Sequence, residues 1–101
     1  MSFERIMGLH VIDDEEYQKY REEMEPVLNS IGGSFGFDFI IAEVLKSKTN
    51  DDINRVFTIE FPSKKEMEAF FSRPDYLAIQ NKHLKNSIKS KTLISMYEKN
   101  T

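Results

Sequence analysis

The chain contains no cysteine and no tryptophan. The first absence excludes disulfides, thiol catalysis and thiolate metal sites. No apolar run approaches the roughly 20 residues a membrane-spanning helix needs, so no membrane partner is expected. The opening residues, Met1-Ser2-Phe3-Glu4-Arg5, lack the basic and apolar regions of a signal peptide, which makes a cytoplasmic location the expectation. Basic charge is also short, with 14 Lys and Arg against 17 Asp and Glu and a net charge of -3. Phosphate binding generally needs a basic face, so nucleic acid is not expected as a partner.

What is present is the composition of one soluble globular domain over residues 1–101, with 40% hydrophobic and 31% charged residues. Charge is unevenly placed. Residues 13–25 carry seven acids against Lys19 and Arg21, whereas residues 82–91 carry Lys82, Lys85, Lys89 and Lys91 with no acid. Two solvated helix faces account for this pattern, and acid-to-base steering between subunits is the alternative.

The most informative stretch is Phe57-Thr58-Ile59-Glu60-Phe61-Pro62-Ser63-Lys64-Lys65-Glu66. Apolar and polar residues alternate through Glu60, and Pro62 ends the strand because it has no amide to donate. Ser63 and Glu66 then form a capping box that opens a helix. Upstream, residues 3–12 read as a strand, with Met7, Leu9 and Val11 on one face and Gly8, His10 and Ile12 on the other. Asp13 caps the next helix with Glu16 completing a box, and Tyr17, Tyr20, Met24, Val27, Leu28 and Ile31 form its apolar stripe. Pro26 lies within that stripe and is expected to kink it. Gly32-Gly33 ends the helix, the first glycine suiting a left-handed cap.

A long second strand is expected over about 34–46, with Phe35, Phe37, Phe39 and Ile41 on one side and Gly36, Asp38, Ile40, Ala42 and Val44 on the other. Both faces are largely apolar, which predicts that both are covered. Ser47 to Asn54 reads as a hairpin loop, and 55–61 as the third strand. The second helical region breaks at Ser72-Arg73-Pro74-Asp75, with Ser72 a cap for the restart. Met67, Phe70 and Phe71 pack its first piece, and Tyr76, Leu77, Ile79, Leu84 and Ile88 its second. Residues 91–98 read as the last strand.

The order β-α-β-β-α-β is the ferredoxin-like arrangement: an α+β fold with a four-stranded antiparallel sheet and both helices on one face. Right-handed crossovers put the first and third strands side by side at the centre. The uncovered face carries Ile12, Ile40, Val44 and Val56, too much apolar surface for water, and a second copy is the simplest cover. A homodimer closed as an α+β barrel follows as an expectation.

With that order in hand, the chain resembles the domain-of-unknown-function 1330 family of dimeric α+β barrel proteins. The resemblance rests on Tyr17 and Tyr20 after the acidic cap, and on Pro26 followed by Ile31-Gly32-Gly33-Ser34-Phe35. It rests also on Ile59-Glu60-Phe61-Pro62-Ser63, Ala69-Phe70-Phe71-Ser72 and Asp75-Tyr76, and it spans roughly residues 6–98. It implies a fold and a dimer, and no particular reaction.

The best candidate for chemistry is a polar trio, His10, Asp38 and Glu60, assigned to the face turned from the helices. His10 and Glu60 are expected near the ends of two adjacent parallel strands, with Gly8 and Thr58 on the same side. A carboxylate beside an imidazole raises its pKa and yields a base usable at neutral pH. The plainer alternative is a Glu–His pair that only satisfies a barrel mouth or the dimer seam. Arg73 and Tyr76 form a weaker ligand-binding candidate beside the helix start at Pro74, with Thr58 a further one. Arg55, at the head of the third strand, resembles Arg73 in being either a carboxylate holder or a solvated cation. No ligand spacing for a metal and no phosphate loop is found, so no cofactor is expected. Three readings stay open. The first is a binder of a small, partly apolar molecule between sheet and helices. The second is a cofactor-free isomerase or monooxygenase with His10 as base. The third is a structural module without a ligand.

Overall fold

A computed structural model describes residues 1–100. The elements run β1 (Ser2–Val11), α1 (Asp14–Ser30), β2 (Ser34–Ile40), β3 (Arg55–Phe61), α2 (Lys64–Phe71), α3 (Pro74–Ile79) and β4 (Ile88–Lys99). Between α3 and β4 the helix loosens into a π-helical turn, Gln80–Leu84, and closes with one further turn, Lys85–Ser87. The sheet order is β2-β3-β1-β4, with every neighbouring pair antiparallel. This is the α+β ferredoxin-like fold. No helix among the described residues is long and apolar enough to cross a membrane.

Local chemistry sets the helix ends. The Asp13 carboxylate accepts the Glu16 N–H at 3.0 Å, and the Ser63 hydroxyl accepts the Glu66 N–H at 3.2 Å. At the far end of α1, Gly32 sits at φ 85°, the left-handed region that glycine enters freely. The Gly33 N–H donates to the Leu28 carbonyl and the Gly32 N–H to that of Asn29, closing a Schellman motif. Ser72 does not cap α3 as expected: its hydroxyl donates back to the Glu68 carbonyl, finishing α2, and Arg73 holds the capping position without a side-chain bond.

One sheet face packs on the helices through Phe3, Met7, Leu9, Phe57, Ile59 and Phe61. The expected α1 stripe is buried there at Tyr17, Tyr20, Met24 and Leu28, joined by Met67, Phe70 and Tyr76. Apolar burial on this face is the main stabilising term of the fold.

Three expectations about the strands need correction. First, β1 and β3 are antiparallel, because the crossover through α1 makes β1 and β2 parallel and the hairpin returns β3 between them. Second, β2 ends at Ile40, and residues 41–54 form a loop laid against the sheet face away from the helices. Ile53 fills the space over Gly8, where a Cβ would stand 2.9 Å from its Cδ1. The Thr92 hydroxyl donates to Asp51 at 2.7 Å, and the Asn54 amide exchanges two 2.8 Å bonds with the Val11 backbone. Third, β2 carries a bulge. Phe35 pairs with Ile59 but Asp38 with Phe57, so Gly36 and Phe37 together face Thr58. The Phe37 N–H donates to the Thr58 hydroxyl at 2.8 Å. Strict alternation fails across the bulge, turning Asp38 and Ile40 toward the helix side and Phe37 and Phe39 outward. The expected cover on both faces of β2 is absent within the chain: Phe37 is 66% and Phe39 52% exposed, their rings stacked 5.9 Å apart.

Candidate functional site

Between the helix side of the sheet and the helices lies a cavity of about 330 Å³. Its floor is Arg5, Met7 and Leu9 of β1 with Phe57 and Ile59 of β3, and α1 roofs it with Tyr17, Tyr20, Arg21 and Met24. Phe71, Tyr76 and, from the π-helical turn, Gln80 close one end. The volume falls at the lower end of the range for small-molecule pockets.

The polar groups of this wall are few, and Arg21 and the three tyrosines among them are buried. Arg21 is only 8% exposed and stands on the apolar stripe of α1, four residues after Tyr17 and three before Met24. Its guanidinium lies 3.9 Å over the Phe35 ring, a cation–π contact made in a desolvated place. Its Nε donates to the Tyr17 hydroxyl at 2.7 Å and its Nη1 to Asp38 at 3.2 Å, while Nη2 has no partner among the described residues. Arg55 takes the same Asp38 carboxylate through two bonds, 2.7 and 2.8 Å. Burial raises the Asp38 pKa, but the Arg55 hydrogen bonds and the two guanidinium charges outweigh it and hold the carboxyl below its usual range. Arg5 lies over the Phe71 ring with its Nε unpartnered, and burial lowers its pKa. The Tyr20 and Tyr76 hydroxyls meet at 2.8 Å. Burial raises the pKa of Tyr17, Tyr20 and Tyr76, so all three are neutral phenols at pH 7.

The expected trio is not assembled. Glu60 pairs across from Glu4, six positions along β1 from His10, which separates the two by about 20 Å at the strand rise. Glu60 takes a 2.8 Å bond from the Ser2 hydroxyl and pairs with Lys99 at 3.2 Å; the Ser2 bond is the first cause of its lowered pKa. Lys99 also reaches Glu4, which accepts the Tyr97 hydroxyl. His10 lies at the other end of that face, half-buried beside Ser90 of β4. Asp38 is on the opposite face, turned there by the bulge. Of the ligand-binding candidates, Tyr76 is in the cavity wall, Thr58 holds the bulge, and Arg73 is paired with Asp75 at 3.0 Å outside the cavity.

The sequence between Arg5 and Tyr97 matches the family described as "Domain of unknown function (DUF1330)", over residues 5–97. The chain belongs to the DUF1330 family. The fold of this DUF1330 chain is similar to that of RPA0582, a protein of unknown function from Rhodopseudomonas palustris. That likeness has a TM-score of 0.81 at 17% identity and covers 99% of this chain and 83% of that one. A dimeric ferredoxin-like protein of unknown function from Thermobifida fusca is similar with a TM-score of 0.59 at 10% identity, covering 96% and 90%. SnoaB of Streptomyces nogalater, a cofactor-independent oxygenase, is similar with a TM-score of 0.58 at 11% identity, covering 99% and 92%. No curated protein matches the sequence.

One further ionised cluster of the DUF1330 chain lies at the π-helical turn, outside the cavity. His83 is 6% exposed and held between two α1 carboxylates, Glu16 at Nδ1 and Glu23 at Nε2, each at 2.5 Å. Lys19 and Lys82 flank those acids at 3.7 and 3.8 Å. The Glu16 bond, opposed by burial and aided by Glu23, raises the His83 pKa above its ordinary 6.5. A raised folded pKa contributes stability fully present below the unfolded value near 6.5 and lost as pH rises through the folded value. The melting temperature therefore falls over that upper window, and His83→Gln removes this component of the slope; thermal melts from pH 5 to 9 read it directly.

Proposed function

We propose that this DUF1330 protein is a homodimeric binding protein that takes a small, partly apolar molecule into the cavity between sheet and helices. The observation that carries the reading is the cavity itself. It is walled by aromatic and aliphatic side chains and holds a handful of polar groups, the buried Tyr17, Tyr20, Tyr76 and Arg21 and the half-buried Arg5. Apolar surface with a few fixed polar groups is the make-up of a small-molecule site. Tyr76 is the ligand contact retained from the sequence candidates.

Self-association is supported by the outward-facing Phe37 and Phe39 and by the likeness to the dimeric Thermobifida fusca protein. A cofactor-free isomerase or monooxygenase with His10 as base is less favoured, because His10 does not line the cavity and its intended partner Glu60 is at the far end of the sheet. The likeness to SnoaB bears on fold alone. A module without a ligand is less favoured because the cavity is not filled by side chains.

The test is protein-observed 1H–15N NMR with a mixture of neutral and anionic one- and two-ring fragments. Amide shifts at Tyr17, Arg21, Phe57 and Tyr76 are expected, with none at His10. Absence of any cavity shift at millimolar fragment, or shifts confined to Phe37 and Phe39, overturns the reading.

A further inference from the structure

The donor and acceptor balance of the cavity wall is lopsided. Three of its lining side chains are cationic, Arg5, Arg21 and Lys91, and none is acidic, in a chain whose net charge is -3. Asp38, the nearest carboxylate to Arg21, is shared with Arg55 and so offers less than one full counter-charge. Among the described residues no carboxylate stands within ion-pair distance of Arg5.

The hydrogens tell the same story. Arg21 Nη2 and Arg5 Nε are buried donors without acceptors. The Tyr17 hydroxyl already accepts from Arg21 Nε, and no described residue accepts its proton. In the Tyr20–Tyr76 pair one hydroxyl donates to the other, so the second proton is also uncommitted. A buried donor left without an acceptor is costly, and more so when the group is charged. Two guanidiniums and two phenols so arranged are matched by a ligand that brings oxygen acceptors and negative charge. The aromatic remainder, Phe35, Phe57 and Phe71, suits a flat apolar body.

We infer that the cavity selects a small carboxylic acid with a one- or two-ring apolar body, its carboxylate received by Arg21 and Arg5 with the Tyr17 hydroxyl. The inference rests on the binding reading above and adds the ligand's charge class. Arg21 is pre-organised for the role, because Asp38 and Tyr17 fix two of its three nitrogens and leave the third without a partner.

The experiment titrates the full chain with benzoate, 3-phenylpropanoate and 2-naphthoate, each beside its primary amide, by calorimetry and by the NMR shifts named above. At least one acid is expected to bind ten-fold or more tighter than its amide at pH 7 and low salt, with the preference shrinking as salt rises. Arg21→Gln and Arg5→Gln are each expected to weaken that acid about ten-fold and leave the amide within about three-fold. Arg21 also holds Asp38, so its variant is first checked for an unchanged melting transition; Arg5→Gln breaks no ion pair and carries the test alone if Arg21→Gln unfolds. Equal affinity for acid and amide, or an acid preference untouched by Arg5→Gln, overturns the carboxylate assignment while leaving the pocket reading intact. If neither acids nor amides move the cavity resonances, the pocket reading falls and the assignment with it.

Discussion

Phe70→Ala is expected to remove about 3–5 kcal/mol of folding stability, the range for deleting a fully buried aromatic ring. Phe70 is 0% exposed and meets three other rings, Phe61 at 5.6 Å, Phe71 at 5.2 Å and Tyr76 at 4.7 Å between centroids. Edge and tilted ring contacts add to the area term, so the loss should sit in the upper part of that range. Domains of this size are stable by roughly 5–15 kcal/mol, and the variant therefore gives up a large share of the total. In urea the midpoint should fall by on the order of 2 M, given slopes of about 1–3 kcal/mol per molar. Leu77→Ala, on an exposed position of α3, is the control and should change stability by less than about 0.5 kcal/mol. A Phe70→Ala effect under about 1 kcal/mol would mean the aromatic cluster is not packed as described. Because Phe70 also backs Tyr76, the variant should loosen the end wall of the cavity together with the fold.

Phe39→Asp is expected to convert a dimer into a monomer without unfolding the chain. Phe39 and Phe37 form a stacked, outward pair on an edge strand, more than half exposed in the single chain. Burying such a pair against a second copy makes it the kind of aromatic anchor that dominates interface energetics. A carboxylate placed there would be desolvated on association, and the loss should be at least about 2 kcal/mol, roughly 30-fold in dissociation constant. Sedimentation at tens of micromolar should give the wild type at twice the 11.9 kDa chain mass and Phe39→Asp at one. The melting temperature of the monomeric variant, extrapolated to low protein concentration, should match the wild type there. A wild-type monomer at those concentrations refutes the dimer.

Much of the fold could be read from the residues because the signals are local. The N-caps at Asp13 and Ser63, the Gly32-Gly33 stop and the apolar stripe of α1 each follow from neighbours within a turn or two, and each stands where the spacing put it, though the Asp13 N–H goes to the Ser87 carbonyl and not to Glu16. The strand order follows from element order through crossover handedness. The bulge at Gly36-Phe37 was out of reach, because it depends on which residue of β3 stands opposite, and counting alternation through it put Asp38 and Ile40 on the wrong face. The His10–Glu60 couple failed for the related reason that strand direction decides which ends meet.

The cavity residues divide differently. Arg21 sits at the helical spacing of Tyr17, Met24 and Leu28, and Arg5 alternates with Phe3, Met7 and Leu9, so the periodicities that located the core also contained both cations. A charged residue in phase with an apolar stripe was the available signal for the site. His83 also falls in phase with Tyr76 and Ile79, but its two carboxylates are 60 and 67 positions away in the chain, so its pairing was not legible.

The extra residue in β2 makes that edge tolerant of a shorter chain at one place. Losing Gly36 or Phe37 as a one-codon deletion would leave a single residue opposite Thr58, restore an unbroken pleat and keep Asp38 opposite Phe57 and Phe39 opposite Val56. The acid that anchors Arg21 and Arg55 would stay on the helix side, and the Phe39 ring on the outer one. A one-codon loss at this point would thus spare the placement of the side chains on which the proposed ligand site and the proposed subunit seam depend.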